Sequence, residues 1–243
     1  MSLYQNITED KNKKLALLID PDKFSAALVT KLAEKAGVDY LFIGGSIISE
    51  GNFHDCIKTL KKISMLPLIL FPGNSDQVDA SADAILFLSL ISGRNADNLI
   101  GRHVIAAPSL KRTSLEIIPT GYMLIDGGRI TSALYMSNTL PIPADKPDIA
   151  VSTAIAGEML GLKLIYMDTG SGALNHVPCE MIKEVKRNIS IPLIVGGGIR
   201  TPGDAVNICE AGADVIVIGT VAEKSPETFF QIVQSLKLKY TKN

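Results

Sequence analysis

Eight short runs rich in valine, isoleucine and leucine recur along the chain, at Leu15–Asp20, Tyr40–Gly45, Leu66–Pro72, Ala84–Leu90, Thr120–Asp126, Leu162–Asp168, Pro192–Gly198 and Val215–Thr220. They do not alternate apolar with polar residues, as strands with one wet face do. Continuous apolar runs belong to strands buried on both faces, as in a parallel sheet. Their starts lie about 29 residues apart on average, close to the strand-plus-helix repeat of an α/β barrel. The segments between them carry helical spacing: Phe24, Leu28 and Leu32, with Gly37 placed to end the helix; then Ile57, Leu60 and Ile63. Pro147 stands at a plausible first helical position before Ile149, Ile155 and Leu160. Met181, Val185 and Ile189 follow, then Ala205, Ile208 and Cys209, then Phe229, Ile232, Val233 and Leu236. The pattern predicts an α/β fold, a (β/α)8 TIM barrel.

Two stretches depart from it. Between Pro72 and Ala84 the chain reads GNSDQVDASAD, with Val78 as its one large apolar residue. With no apolar stripe to pack against the barrel, the third helix is expected to be replaced by a polar loop. Gly127 to Lys146 is too long for a simple turn, and its RITSALYM segment is read as a possible hairpin. No linker or shift of composition divides residues 1–243, which are read as a single domain. AGVDYLFIGGS (36–46) echoes AGADVIVIGTV (211–221), a similarity expected of any two helix–strand–glycine-turn units.

Charge and cysteine content exclude several classes. With 24 basic and 25 acidic residues the net charge is −1, which gives no reason to expect nucleic acid or an anionic membrane as partner. Cys56, Cys179 and Cys209 are scattered, without the spacing of a zinc site or disulfide framework, which points to a reducing compartment. The N-terminal MSLYQNITEDKNKK has no apolar core and is not a signal peptide. Ala84 to Ile91, the longest apolar stretch, is far short of a membrane span. A cytoplasmic protein without a transmembrane segment is expected.

In such a barrel the active site is built from the loops after the C-terminal ends of the strands. Strand seven ends in Gly196-Gly197-Gly198-Ile199-Arg200 and strand eight in Gly219-Thr220. Glycine lets backbone N–H groups approach a phosphate closely, and barrels often bind phosphate at these two loops. Glycines at both places, with the Thr220 hydroxyl, favour a phosphate site over mere tight turns. Strand one ends in Asp20-Pro21-Asp22-Lys23. Asp before Pro is a frequent turn former, yet a carboxylate at this rim, joined by a hydroxyl such as Ser46, also suits a magnesium that takes its other ligands from water and substrate phosphates. Position alone leaves both open, and Asp22 is expected to cap the next helix. Asp168, before Thr169-Gly170-Ser171-Gly172, is placed either to take a proton from a substrate hydroxyl or to form an Asx turn. His54, His103 and His176 show no ligand spacing and read as surface or helix residues.

LLIDPDK (17–23), FIGGS (42–46), YMDTGSGA (166–173), VGGGIR (195–200) and IGT (218–220) together resemble the motifs of the geranylgeranylglyceryl phosphate and heptaprenylglyceryl phosphate synthases. FPGN (71–74), IIPTGYMLID (117–126) and PIPADKPDIA (141–150) support the resemblance, which runs in order through nearly the whole chain and is nearest the geranylgeranylglyceryl branch. It implies a magnesium-dependent prenyltransferase of ether-lipid biosynthesis, joining sn-glycerol 1-phosphate to a polyprenyl diphosphate and releasing diphosphate. It also implies a barrel lacking its third helix and a homo-oligomer, dimer or larger. By motif position, Asp20 and Ser46 match the magnesium site, and Asp168 the catalytic carboxylate. Tyr166, Met167, Asp168, Thr169, Gly170, Ser171 and Gly172, with Gly197, Gly198, Gly219 and Thr220, match the glycerol phosphate site. Two departures stand out: Asp168 replaces the Glu of many members, one methylene shorter, and Leu18 stands where heptaprenyl-type members carry Lys.

Two other classes compete with this reading. A sugar-phosphate isomerase or lyase would use the same phosphate loops but needs a catalytic lysine or second acid, and Lys163 and Lys183 are poorly placed for that role. A non-catalytic barrel that binds phospholipid precursors is the other alternative.

Overall fold

In a computed structural model that describes residues 2–10 and 12–240, all eight strands form. β1 (Lys14–Ile19), β2 (Tyr40–Ile43), β3 (Leu68–Leu70), β4 (Ala84–Leu90), β5 (Glu116–Leu124), β6 (Leu164–Asp168), β7 (Leu193–Gly196) and β8 (Val215–Ile218) pair in chain order, and β8 closes onto β1. The pairing is parallel, with Leu17 opposite both Leu41 and Ile218. Because side chains alternate along a strand, each run feeds two layers. On β6, Ile165 and Met167 pack outward against the helices, while Leu164 and Tyr166 fill the barrel interior. Inside, Ala16 and Ala84 leave room for Tyr40, Phe42 and Tyr166.

The helices follow from local chemistry. α2 (Ala26–Ala36) is capped by Ser25 and ends at Gly37, whose φ of 70° is the left-handed conformation that glycine adopts without penalty. Phe24 precedes this helix and packs on the outer core from the turn before it. α3 (Phe53–Ile63) buries Ile57 and Leu60 as its spacing predicts. A π-helical turn (Asp97–Gly101) leads into α4 (Arg102–Leu110). α7 (Cys179–Asn188), α8 (Pro202–Ala211), a short α9 (Thr220–Lys224) and α10 (Pro226–Tyr240) complete the outer ring. Between β3 and β4 the described chain forms turns and no helix, as the polar crossover predicts. Among the described residues no helix is long and apolar enough to cross a membrane.

Two local expectations are corrected, and one element is added. RITSALYM is not a hairpin: Thr131 caps α5 (Ser132–Ser137) by accepting from the Leu134 N–H, and Asn138, at φ 50°, ends it. α6 (Pro147–Met159) does start at Pro147, but it buries Ala150, Ala154 and Gly157, while Ile149 and Leu160 face solvent. Small residues bring this helix close to the barrel: a Cβ on Gly157 would stand 2.8 Å from Ile91 Cδ1. The N-terminal segment forms a helix, α1 (Leu3–Glu9), which no apolar periodicity signals. Its Ile7 joins the interior cluster, and Glu116 at the start of β5 accepts the N–H groups of Leu3 (2.6 Å) and Tyr4 (2.8 Å). α1 thus stoppers the end of the barrel opposite the site.

Candidate active site

Residue alternation places Asp168 at the inner end of β6, with 6% of its surface exposed. Oδ2 accepts a 2.6 Å hydrogen bond from the Tyr122 hydroxyl on β5, and Oδ1 accepts a 2.7 Å bond from the Gly170 N–H. Burial raises the Asp168 pKa, and these two donors only partly offset it. Burial, then the carboxylate beside it, also pushes the Tyr122 phenol far above its ordinary range, so it remains a donor. Tyr122 meets Tyr166 edge-on, with ring centres 5.4 Å apart, and Phe71 stacks on Tyr166 at 5.1 Å. These three rings form a floor that holds the carboxylate in place. Tyr122, which the motifs leave unassigned, is therefore part of the site.

The loops after β6 and β8 meet where Ser171 Oγ and Thr220 Oγ1 lie 3.0 Å apart. Among the described residues, none accepts a hydrogen bond from the backbone N–H groups of Ser171, Gly172, Gly197, Gly198, Gly219 or Thr220. A cluster of free N–H groups at three strand ends is a cradle suited to an anion.

The members of the predicted phosphate set differ in what their side positions do. The Met167 side chain is fully buried in the outer layer and points away from the site, so only its backbone is left to serve the predicted substrate contact. Tyr166 lies beneath the cavity wall as floor. Thr169 is buried with its Oγ1 unpartnered. Gly170 is packed against Thr131. Gly197, at φ 80°, backs the carboxylate: a Cβ there would stand 2.6 Å from Asp168 Oδ1. Gly198, at φ 65°, abuts the Asn175–His176 backbone, so its side position faces the neighbouring loop. Gly219 has φ −122°, and a Cβ on it would stand 3.3 Å from the Leu18 carbonyl oxygen, so its role rests on its N–H and on this close approach to β1.

Asp20 lies across the barrel mouth. Its Oδ1 caps the turn of Pro21–Lys23 by accepting from the Asp22 N–H at 3.1 Å, and its Oδ2 pairs with Lys23 Nζ at 2.7 Å. Asp20 Oδ1 is 3.6 Å from where a Cβ of Gly45 would stand, beside Ser46. Lys23 also lies 3.9 Å from Glu223 Oε2. Glu223 has a raised pKa, chiefly from burial and, after the opposing effect of Lys23, from the charge of Asp20. Asp22 does not cap the next helix, a role taken by Ser25. It instead accepts the N–H groups of Ser49 (2.9 Å), Glu50 (3.1 Å) and Gly51 (2.6 Å), and these bonds lower its pKa to about 2.

The polar crossover supplies a residue that sequence reasoning missed. Gln77, 5% exposed, donates to the Gly45 carbonyl and accepts from the Gly73 N–H, both at 3.0 Å. It clasps the loops after β2 and β3 and so sets the backbone around Ser46.

Asp20, Ser46, Tyr122, Asp168, Ser171 and Thr220 border a cavity of about 520 Å³. Its polar end holds Asp20, Ser46, Asp168, Ser171, Gly219 and Thr220; its other end is lined by Ile85, Phe87, Ala106 and Leu110. The apolar arm runs along β4 and α4, and Val78 of the helix-less crossover also borders the cavity. His103 stands in that arm, edge-on to Phe87 at 4.5 Å, whereas His54 pairs with Asp79 outside the cavity. Among the described residues no group of three or more His, Cys, Asp and Glu side chains gathers to hold a metal. Asp20 and Ser46 offer two hard oxygens, which suits a magnesium completed by water and phosphate oxygens.

Residues 5–237 match the model of the PcrB family. A geranylgeranylglyceryl phosphate synthase of Chitinophaga pinensis is 51% identical over 215 residues, covering 87% of this chain and 85% of that protein. The enzyme of the same name from Spirosoma linguale is 47% identical over 235 residues, covering 96% and 94%. The crystal structure of (S)-3-O-geranylgeranylglyceryl phosphate synthase from Thermoplasma acidophilum, in complex with its substrate sn-glycerol-1-phosphate, superposes with a TM-score of 0.91 at 34% identity, covering 98% of this chain and 99% of that one.

Proposed function

The chain belongs to the PcrB family, and from that premise we propose that it is a prenyltransferase of ether-lipid synthesis, joining sn-glycerol 1-phosphate to geranylgeranyl diphosphate. The observation that carries this reading is a cavity bordered at one end by the free N–H groups of Ser171, Gly219 and Thr220 and the buried Asp168 carboxylate, and at the other by a hydrocarbon-lined arm. A small phosphorylated alcohol fits the first, and a prenyl chain fits the second. The names of its relatives support the same pairing.

The chemistry follows from placement. The glycerol phosphate sits on the cradle with its C3 hydroxyl toward Asp168. That oxygen attacks C1 of the prenyl chain, the bond from C1 to the diphosphate breaks with its electron pair going to the departing oxygen, and the hydroxyl proton passes to Asp168. A carboxylate whose pKa is raised by burial is the better acceptor for that proton, and Tyr122 fixes which oxygen lone pair faces the substrate. Asp20 and Ser46 would hold magnesium, which when bound neutralises charge on the departing diphosphate. Lys23, on Asp20 Oδ2, competes for the same carboxylate.

Neither Lys163 nor Lys183 lines the cavity, and Lys23, which does, is held as an ammonium by its hydrogen bond to Asp20, which disfavours Schiff-base chemistry on a sugar phosphate. The test is diphosphate release measured with each substrate alone and with both, with and without magnesium. Release that requires both substrates and magnesium supports the proposal. Release independent of glycerol phosphate, or none with both present, contradicts it.

A further inference from the structure

The cavity holds an uncommitted cation. Its ionisable lining comprises the carboxylates of Asp20, Asp22, Asp168 and Glu223, the Tyr122 phenol, the His103 imidazole and the permanent cations Lys23 and Arg102. Lys23 is already bonded to Asp20 and lies beside Glu223. Arg102, at the first position of α4, forms no ion pair among the described residues, and the one hydrogen bond of its side chain among them runs from Nη1 to the Gly73 carbonyl at 2.7 Å. A guanidinium has five N–H donors, so four remain to be used.

Its anchor fixes its place. Gly73 is pressed against the β2 loop, where a Cβ on it would stand 2.9 Å from Ser46 Cα, and Gln77 clasps Gly73 to Gly45. Arg102 is therefore tied through one residue to the Asp20–Ser46 side of the mouth, away from the N–H cradle of β6–β8. It also borders the junction with an adjoining cavity of about 490 Å³, which shares Ser46, Gly73 and Asn74.

Resting on the proposed reaction, we infer that Arg102 binds the diphosphate of the prenyl substrate and holds it as it departs. Two anions enter this site, and the glycerol phosphate has the cradle. The diphosphate comes attached to the chain in the apolar arm, whose wall Arg102 begins. Four carboxylates around the mouth repel it, and a planar fork that binds phosphate oxygens through two parallel bonds offsets that repulsion where a lysine point charge does so less well.

The test is calorimetric titration of inorganic pyrophosphate, with magnesium present, into the wild-type protein, R102M and R102K, with sn-glycerol 1-phosphate titrated in parallel. The expected result is pyrophosphate binding weakened about tenfold or more in R102M, partly restored in R102K, with glycerol phosphate affinity within twofold of wild type. R102M binding pyrophosphate as tightly as wild type, or losing affinity for both ligands equally, overturns the role of Arg102. Wild-type turnover of both substrates keeps that result separate from the reaction itself, whose failure is read from absent product in the wild-type protein.

Discussion

The Tyr122 hydroxyl reaches across the barrel interior to Asp168 Oδ2, a 2.6 Å hydrogen bond between residues 46 positions apart. The donor favours the ionised carboxylate, so its removal raises the Asp168 pKa further. Tyr122→Phe is expected to lower kcat about tenfold or more, because the carboxylate loses the bond that holds it in register with the substrate hydroxyl, a bond to a charged group worth about 1.5–3 kcal/mol. A base must be unprotonated to act, so the acid limb of the pH–rate profile moves to higher pH. An acid limb that stays in place would detach the phenol from the chemistry.

Asp168 itself trades stability for function. Its folded pKa is above the unfolded value, so the folded state holds its proton more tightly, and stability falls as pH rises from the unfolded to the folded pKa. Asp168→Asn is expected to raise Tm at neutral pH, with the difference from wild type shrinking in acid. The amide can accept from Gly170 and donate to Tyr122, so it retains partial activity, while Asp168→Ala loses about 10²-fold or more. Asp168→Ala with unchanged kcat at saturating glycerol phosphate would leave Asp168 a turn residue.

Two left-handed glycines separate strain from crowding. A Cβ on Gly172 (φ 79°) would meet nothing within 4 Å, whereas one on Gly198 (φ 65°) would press on the Asn175–His176 backbone. Gly172→Ala is expected to cost about 1–2 kcal/mol, the left-handed penalty alone. Gly198→Ala must also move the backbone of the adjacent loop and costs more. Denaturant titrations giving equal losses for both would contradict the crowding argument.

Gln77→Met keeps length but leaves the Gly73 N–H and Gly45 carbonyl without partners. That costs about 1–3 kcal/mol, a Tm drop of about 2 °C or more for a chain of this size. Because the clasp sets the loops beside Ser46, KM for the prenyl diphosphate is expected to rise while that for glycerol phosphate holds. Steady-state kinetics in which both KM values rise together would assign Gln77 to general packing.

Asp22 stabilises the 49–51 loop only while ionised. Its folded pKa is lowered to about 2 from an ordinary 3.8, so its contribution is present above pH 3.8 and is lost as pH falls toward 2. Asp22→Asn is expected to have a lower Tm than wild type at pH 7 and to match it near pH 2. A gap that persists in acid would point to shape instead of charge.

The strands and most helices were legible because burial on both faces writes itself as unbroken apolar runs, and Asp168, Ser171 and Thr220 because they end those runs. What was hidden has physical reasons. Tyr122 sits inside an apolar run, where a phenol is indistinguishable from core until its partner 46 positions away is known. Gln77 is one polar residue in a polar loop, and its burial depends on tertiary contacts. The buried stripe of α6 is Ala150, Ala154 and Gly157, so following the larger side chains selected the solvent face. α5 carries Thr131 as its cap and Asn138 at its end, but it spans six residues and buries none of them, so no apolar stripe marks it as a helix. Met167 followed its neighbours into the site by motif, although strand alternation turns it outward.

The most direct test of the account is mass-spectrometric product analysis of one mixture: sn-glycerol 1-phosphate, geranylgeranyl diphosphate, magnesium and either wild-type protein or Asp168→Ala. The account predicts 3-O-geranylgeranylglyceryl phosphate and an equal amount of diphosphate from the wild type, and about a hundredth of that rate or less from the variant. Free geranylgeraniol in place of the ether, or equal ether formation by both proteins, would contradict it.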